Sequence, residues 1–297
     1  MAASQVIVVR YGELSLKGNN RGLFEQQLVR NIHAAFKAEN STAQVKRVRG
    51  RILITDFKSE HQNNALKSLR TIFGIVSYSH TIEVESSTES VHDVLPELLS
   101  QRLFSTFRVS VARLDKTIAK TSQEWERELG AYIVTQFQKK VSLKNFDVKV
   151  CVELFNNKAY VFTERFQGCG GLPVGVSERV AVLLDDQYSF FAAWLMLKRG
   201  CMVLLMKTAR FTFSQHLLQN LQLYCPFPLS IKEMRSIDGC GALSVEAFVV
   251  SETLQTLKDH DVKSLILRPL VGYTQDQLDE KIEKWQTLTE ESYARVS

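Results

Sequence analysis

The chain has 297 residues, 45% of them hydrophobic, and a net charge of +5, which allows two or three domains with sizeable cores. No run of about 18 apolar residues occurs and the N-terminus lacks a basic stretch before a long apolar one, so neither a membrane-spanning helix nor a secretory signal is expected. The five cysteines (Cys151, Cys169, Cys201, Cys225, Cys240) are scattered and never spaced C-x-x-C, which suits reduced thiols in a cytoplasmic protein and argues against disulfides or a zinc site.

In chain order, Gln5–Arg10 reads as a strand, and Gly12, Gly18 and Asn19-Asn20 mark the loop after it. Leu23, Phe24, Leu28, Ile32, Ala35 and Phe36 follow at helical spacing, with Asn20 as the expected cap. Strands at 44–48 and 51–56 are split by a turn at Arg49-Gly50, and Ala65–Ile72 continues as a helix ending near Gly74. This β-α-β-β-α order suits a small α+β sandwich. From Ser79 the pattern restarts: strand 79–85, helix 91–104, strand Phe107–Arg113, helix 122–139, then strands 147–153 and 158–164 joined by a polar turn at Asn156-Asn157. A glycine-rich loop over 167–175 leads to apolar strands at 180–184, 201–206, about 245–250 and 264–267, which alternate with helical segments. That is the pattern of a parallel, doubly wound sheet.

Charge is uneven along this order. Residues 1–80 carry 12 lysines and arginines against 5 acids, whereas residues 176–297 carry 13 against 15. A basic front end points to a polyanion, nucleic acid first among them; a merely solvated basic surface is the alternative.

One junction stands out. Arg179–Leu184 reads as a buried strand, Asp185-Asp186-Gln187-Tyr188-Ser189 as a turn, and Phe190–Arg199 as a helix closing at Gly200. Strand, turn and helix start is where an α/β domain cradles phosphate, on a glycine-rich loop and the helix N-terminus. This turn has no glycine and opens with two carboxylates.

Three stretches together resemble one family: Tyr11–Arg21 with Phe24-Glu25 and Asn31-Ile32; Arg113–Lys116 with Thr121–Glu124 and Arg127–Gly130; and Arg165–Gly175 with the strand after it. They are similar to the tRNA 4-thiouridine synthetases, also called thiamine-biosynthesis sulfurtransferases, over essentially the whole chain. The resemblance implies a ferredoxin-like domain over 1–78, a THUMP RNA-binding domain over 79–166, a linker over 167–177 and a Rossmann-like PP-loop domain with a parallel sheet over 178–297. It implies that the first two domains grip the acceptor end of tRNA, and that members pair as homodimers through the third.

Lys116, Thr121, Ser122 and Arg127 are the expected RNA contacts, because hydroxyls, amides and cations at a helix start can hold backbone phosphates together. The plainer alternative has Ser122 cap the helix and Arg127 pair with a neighbouring glutamate. Tyr11–Arg21 is expected to be structural, with Glu13 against Lys17. Cys169 reads as a small filler in a shaped linker, since no base lies near it in sequence.

The third domain departs from the family. Active members read Ser-Gly-Gly-x-Asp-Ser at the turn, and that loop holds ATP while uridine O4 is adenylated. Between the matching flanks Arg179–Leu184 and Ala193–Gly200 this chain is one residue shorter and lacks both glycines. Leu183, Leu184, Asp185, Asp186 and Ser189 therefore mark a degenerate nucleotide site, with the Asp pair repelling a triphosphate unless magnesium intervenes. The stretches 207–212 and 251–255 have also changed, and no acceptor cysteine or rhodanese domain follows Trp285. No catalytic residue and no metal site is assigned, and His33, His61, His80, His92, His216 and His260 read as incidental.

The expectation is a cytoplasmic, tRNA-binding protein whose third domain is a scaffold, presenting tRNA to an active relative or sulfur-donor protein or holding a homodimer. The alternative is an active sulfurtransferase making 4-thiouridine with ATP, magnesium and a separate sulfur donor. A subunit that regulates an active relative is a third possibility.

Overall fold

The structure is a computed structural model that describes residues 4–12, 21–38, 43–48, 50–57, 62–100, 102–116, 118–208, 211–234, 244–260 and 264–287. The expected Asn20 cap, the Glu13–Lys17 pair, Arg49, His61 and Cys240 lie outside the described residues. The chain forms two compact units. The first gathers Met1–Arg10, Ala43–Phe57 and Ser77–Phe166, and the second Tyr11–Thr42, Lys58–Val76 and Gln167–Ser297.

The first unit is built on a nine-stranded sheet. Its strands are β1 (Ser4–Tyr11), β2 (Gln44–Val48), β3 (Arg51–Thr55), β4 (Ile75–Glu85), β5 (Thr106–Arg113), β6 (Lys140–Val141), β7 (Val148–Phe155), β8 (Lys158–Phe162) and β9 (Phe166–Gln167). They run in the order β2-β3-β1-β4-β8-β7-β5-β6, with β9 on β4. Helices α3 (Thr88–Ser100) and α4 (Ser122–Phe137) cover one face. There Val150, Val152, Leu154, Val109, Val111 and Val161 meet Val91, Leu95, Trp125, Leu129 and Ile133 in one core. Strand residues alternate between faces, so Val6, Val8, Leu53, Phe155 and Tyr160 form a separate cluster on the face turned away from α3 and α4.

The second unit holds α1 (Arg21–Ala38), α2 (Gln62–Thr71) and a wholly parallel sheet of β10 (Arg179–Leu184), β11 (Met202–Thr208), β12 (Ile231–Met234), β13 (Ala247–Val249) and β14 (Leu265–Leu267). Helices α5 (Ser189–Lys198), α6 (Gln215–Leu223) and α7 (Gln275–Thr287) complete it. The strand order β12-β11-β10-β13-β14 reverses direction at β10, which makes the gap between the ends of β10 and β13 the switch point where α/β sheets take ligands. β12 was not expected from sequence: Ile-Lys-Glu-Met is an edge strand with two exposed residues and no apolar run to betray it.

The 167–175 loop docks within this unit. Leu172 N–H donates to Lys198 O at 2.9 Å and Gly175 N–H to Gly200 O at 2.8 Å. On α1, Gln27 Nε2 and Asn31 Nδ2 both donate to Val174 O, at 2.9 and 3.1 Å. Gly171 has φ of 74°, and a Cβ there would meet Lys198 O at 2.5 Å, so this contact admits only glycine.

Candidate functional site

Two strand–loop–helix junctions carry the expected sites. In the first unit, β5 ends at Arg113, whose Nη1 donates to Ile118 O at 2.7 Å and Lys120 O at 3.1 Å, shaping the loop that leads to α4. Thr121 caps the helix in a capping box: its hydroxyl accepts from Glu124 N–H at 3.3 Å, and Glu124 Oε2 accepts from Thr121 N–H at 2.7 Å. The cap is therefore Thr121 and not the adjacent Ser122; the box spacing, Thr-x-x-Glu, was in the sequence. These bonds hold the Glu124 carboxyl below the usual carboxylate range, with Arg127 contributing. Lys116 and Arg127 are exposed, and Lys120 lies beside them, paired with Glu128 at 2.7 Å. Thr121, Ser122 and Arg127 thus lie on the opening turns of α4, where Thr121 is committed to the cap and Arg127 faces solvent, while exposed Lys116 stands in the loop before it.

The second junction, between β10 and α5, is arranged differently. Leu183 and Leu184 are buried at the end of β10, in register with Met206 and Lys207 of β11. Asp186 Oδ1 accepts from Ser189 N–H at the start of α5, at 2.9 Å. The amides of Asp185 and Asp186 point at Ser189 Oγ, at 3.3 and 3.4 Å. Ser251, just after β13, sets its Oγ 3.0 Å from Asp185 Oδ1 and 2.8 Å from Asp186 Oδ2. Its single proton serves one carboxylate at a time. The two sides of the switch-point crevice are therefore tied together by the chain's own groups. Burial pushes the Asp186 carboxyl up, and the charge of Asp185 adds to the shift. Tyr188 reaches the other way, its hydroxyl donating to Asp279 Oδ1 at 2.5 Å.

Next to Ser251, buried Glu252 accepts from Arg268 Nε at 2.8 Å and contacts His260 Nε2 at 2.5 Å. His260, read as incidental, is thus part of a hydrogen-bonded network around Glu252, whose Arg268 partner fastens the segment after β13 to the end of β14. No sequence spacing announces a partnership of residues brought together by the sheet. A cavity of about 430 Å³ lies at the amino ends of the strands, lined by Arg179, Met202, Ser230, Lys232 and Val245. Among the described residues no three His, Cys, Asp or Glu side chains gather as metal ligands. Cys151, Cys201 and Cys225 are buried, and burial raises all three thiols; that of Cys169 is pushed up to about 12, consistent with a filler. Among the described residues no helix is long and apolar enough to cross a membrane.

Known proteins share this architecture. Residues 6–79 match the ThiI ferredoxin-like domain and residues 85–164 the THUMP domain. A probable tRNA sulfurtransferase of Caldanaerobacter subterraneus is 34% identical over 197 residues, 66% of this chain and 51% of that protein. Another, from Natranaerobius thermophilus, is 27% identical over 308 residues, 98% of this chain and 73% of that protein. The chain thus spans about half the length of the first of these relatives. Among solved structures, Pyrococcus horikoshii PH1313 superposes with a TM-score of 0.81 at 26% identity, covering 95% of this chain and 99% of that one. A 4-thiouridine synthetase in complex with RNA and bound ATP gives 0.79 at 26% identity, covering 99% of this chain and 87% of that one. By its two domain matches and this likeness of fold, the chain belongs to the ThiI family of ferredoxin-like and THUMP-domain proteins.

Proposed function

We propose that this protein binds the acceptor region of tRNA in the cytoplasm through its ferredoxin-like and THUMP domains and performs no adenylation or thiolation of its own. The observation that carries the second half is Asp186: its carboxylate takes the Ser189 N–H at the start of α5, the place a nucleotide phosphate needs. A phosphate brought to that helix start would displace this bond and face Asp185 and Asp186 with no glycine amide to receive it. ATP therefore does not fit the turn.

The RNA half is supported by the THUMP match, by the cations around the α4 start and by the likeness to a synthetase that holds RNA. We take 1–78, 79–166 and 178–297 as the three domains, with 167–177 as the linker. The third acts as a scaffold that pairs two copies or presents tRNA to an active partner. Fluorescence anisotropy with a tRNA transcript across a KCl series tests the RNA half. The expected result is saturable binding whose log Kd rises linearly with log salt; absence of binding at low salt, or binding indifferent to salt, would overturn it.

A further inference from the structure

On the sheet face turned away from α3 and α4, three arginines converge on one carboxylate. Glu153 of β7 is 2% exposed and accepts from Arg10 Nε of β1 at 2.6 Å, Arg51 Nε of β3 at 2.8 Å and Arg165 Nη2 at 3.2 Å. Arg10 is 6% exposed. Its Nη1 donates to Ser79 Oγ at 3.1 Å, while its Nη2 is buried without a hydrogen-bond partner. The guanidiniums of Arg10 and Arg165 lie over the Phe162 ring, 4.8 and 5.7 Å from its centroid. A ring under a guanidinium engages its face and leaves its N–H edge unsatisfied.

Three positive charges on one negative leave two uncompensated. Buried charge is costly unless paired, and nearby acids are otherwise engaged. Glu85 pairs with Lys158 at 2.6 Å, Glu164 with Arg102 at 2.7 Å, and Glu83 sits at the Tyr160 hydroxyl. The cluster also opens to solvent: the Arg51 side chain is 18% exposed and that of Arg165 47%. Lys149 adds to the positive field, bearing with Arg165 and Arg10 on the Cys151 thiol. Planar guanidinium forks held by a buried carboxylate are suited to phosphate oxygens, which they can engage through two N–H bonds at once.

We propose that Arg51 and Arg165, backed by the buried Arg10, form an anion site that holds a phosphate group, supplied by the backbone of a bound RNA strand. The source of the phosphate rests on the tRNA-binding function proposed above; the anion site does not. It lies on a different element from the α4 start, so two separate basic points would fix the strand's register as well as its affinity.

The test uses the full chain and the variants Arg165→Gln, Arg165→Lys, Arg51→Gln and Lys116→Gln. In thermal melts at matched ionic strength, replacing chloride with inorganic phosphate should raise the Tm of the wild type. That rise should be lost in Arg165→Gln and Arg51→Gln and partly kept in Arg165→Lys. With a tRNA transcript, Arg165→Gln should lower the salt slope by about one unit. An equal phosphate response in wild type and both Gln variants would overturn the anion site. An intact phosphate response, lost in those variants, with no tRNA binding by any form, would keep the site and remove RNA as its source. A wild-type salt slope in Arg165→Gln alongside a lowered slope in Lys116→Gln would likewise assign the phosphate to another source.

Discussion

The α4 start and the α5 start are the same kind of place: a strand ends, a short loop turns, and a helix opens with its N–H groups facing out. At α4 the chain spends one glutamate on the cap and leaves Lys116 and Arg127 exposed around it. At α5 it turns its own carboxylates onto the helix start and draws Ser251 across the crevice to hold them. A helix N-terminus favours an anion in both cases, so what separates the two is which anion is supplied from within. On the function proposed above, the first junction receives an outside phosphate, whereas at the second Asp186 already takes the Ser189 N–H.

The largest loss is expected away from both junctions, at Glu153, the shared partner of Arg10, Arg51 and Arg165. Glu153→Ala leaves Arg10 and its neighbours without their buried counter-charge and should cost about 3–5 kcal/mol in urea unfolding. Asp186→Ala removes the acceptor for Ser189 N–H and a partner of Ser251, with an expected loss of about 1–2 kcal/mol and no gain of ATP affinity.

Asp186→Asn is subtler and sharpens the contrast. Its amide oxygen still accepts from Ser189, and the repulsion from Asp185 is gone. The Asp186 carboxyl is raised above its ordinary 3.8, so just above that value the folded chain binds more protons than the unfolded one. Stability should then fall as pH rises through that window, and unfolding midpoints across it should show a shallower fall in Asp186→Asn.

Thr121→Ala, which strips the α4 cap, should cost about 1 kcal/mol by the same measurement. Lys116→Gln and Arg127→Gln should change stability by less than about 0.5 kcal/mol, yet each should lower the salt slope of tRNA binding by about one. A stability loss without a change in slope would make these cations structural.

Much of this was legible in sequence because it is local. The run Arg179–Leu184 and the helix closing at Gly200 announce themselves by period and punctuation, and the absence of glycine over 185–189 could be read directly. The cap at Thr121 was readable from its Glu124 partner, although the neighbouring Ser122 offered a rival. What escaped is what distance in sequence hides. Ser251 bonds to carboxylates 65 and 66 residues away, and Arg10 meets Glu153 across 143. His260 looked idle until the segment after β13 turned it back onto Glu252. Edge strand β12 escaped for another reason: half exposed to water, it needs no apolar pattern.

Isothermal titration of the full chain with ATP and magnesium tests the central claim most directly. We expect no measurable heat of binding, because Asp186 already holds the α5 start and Asp185 guards it. Saturable binding at micromolar ATP would contradict the account and return the second unit to the active sulfurtransferases.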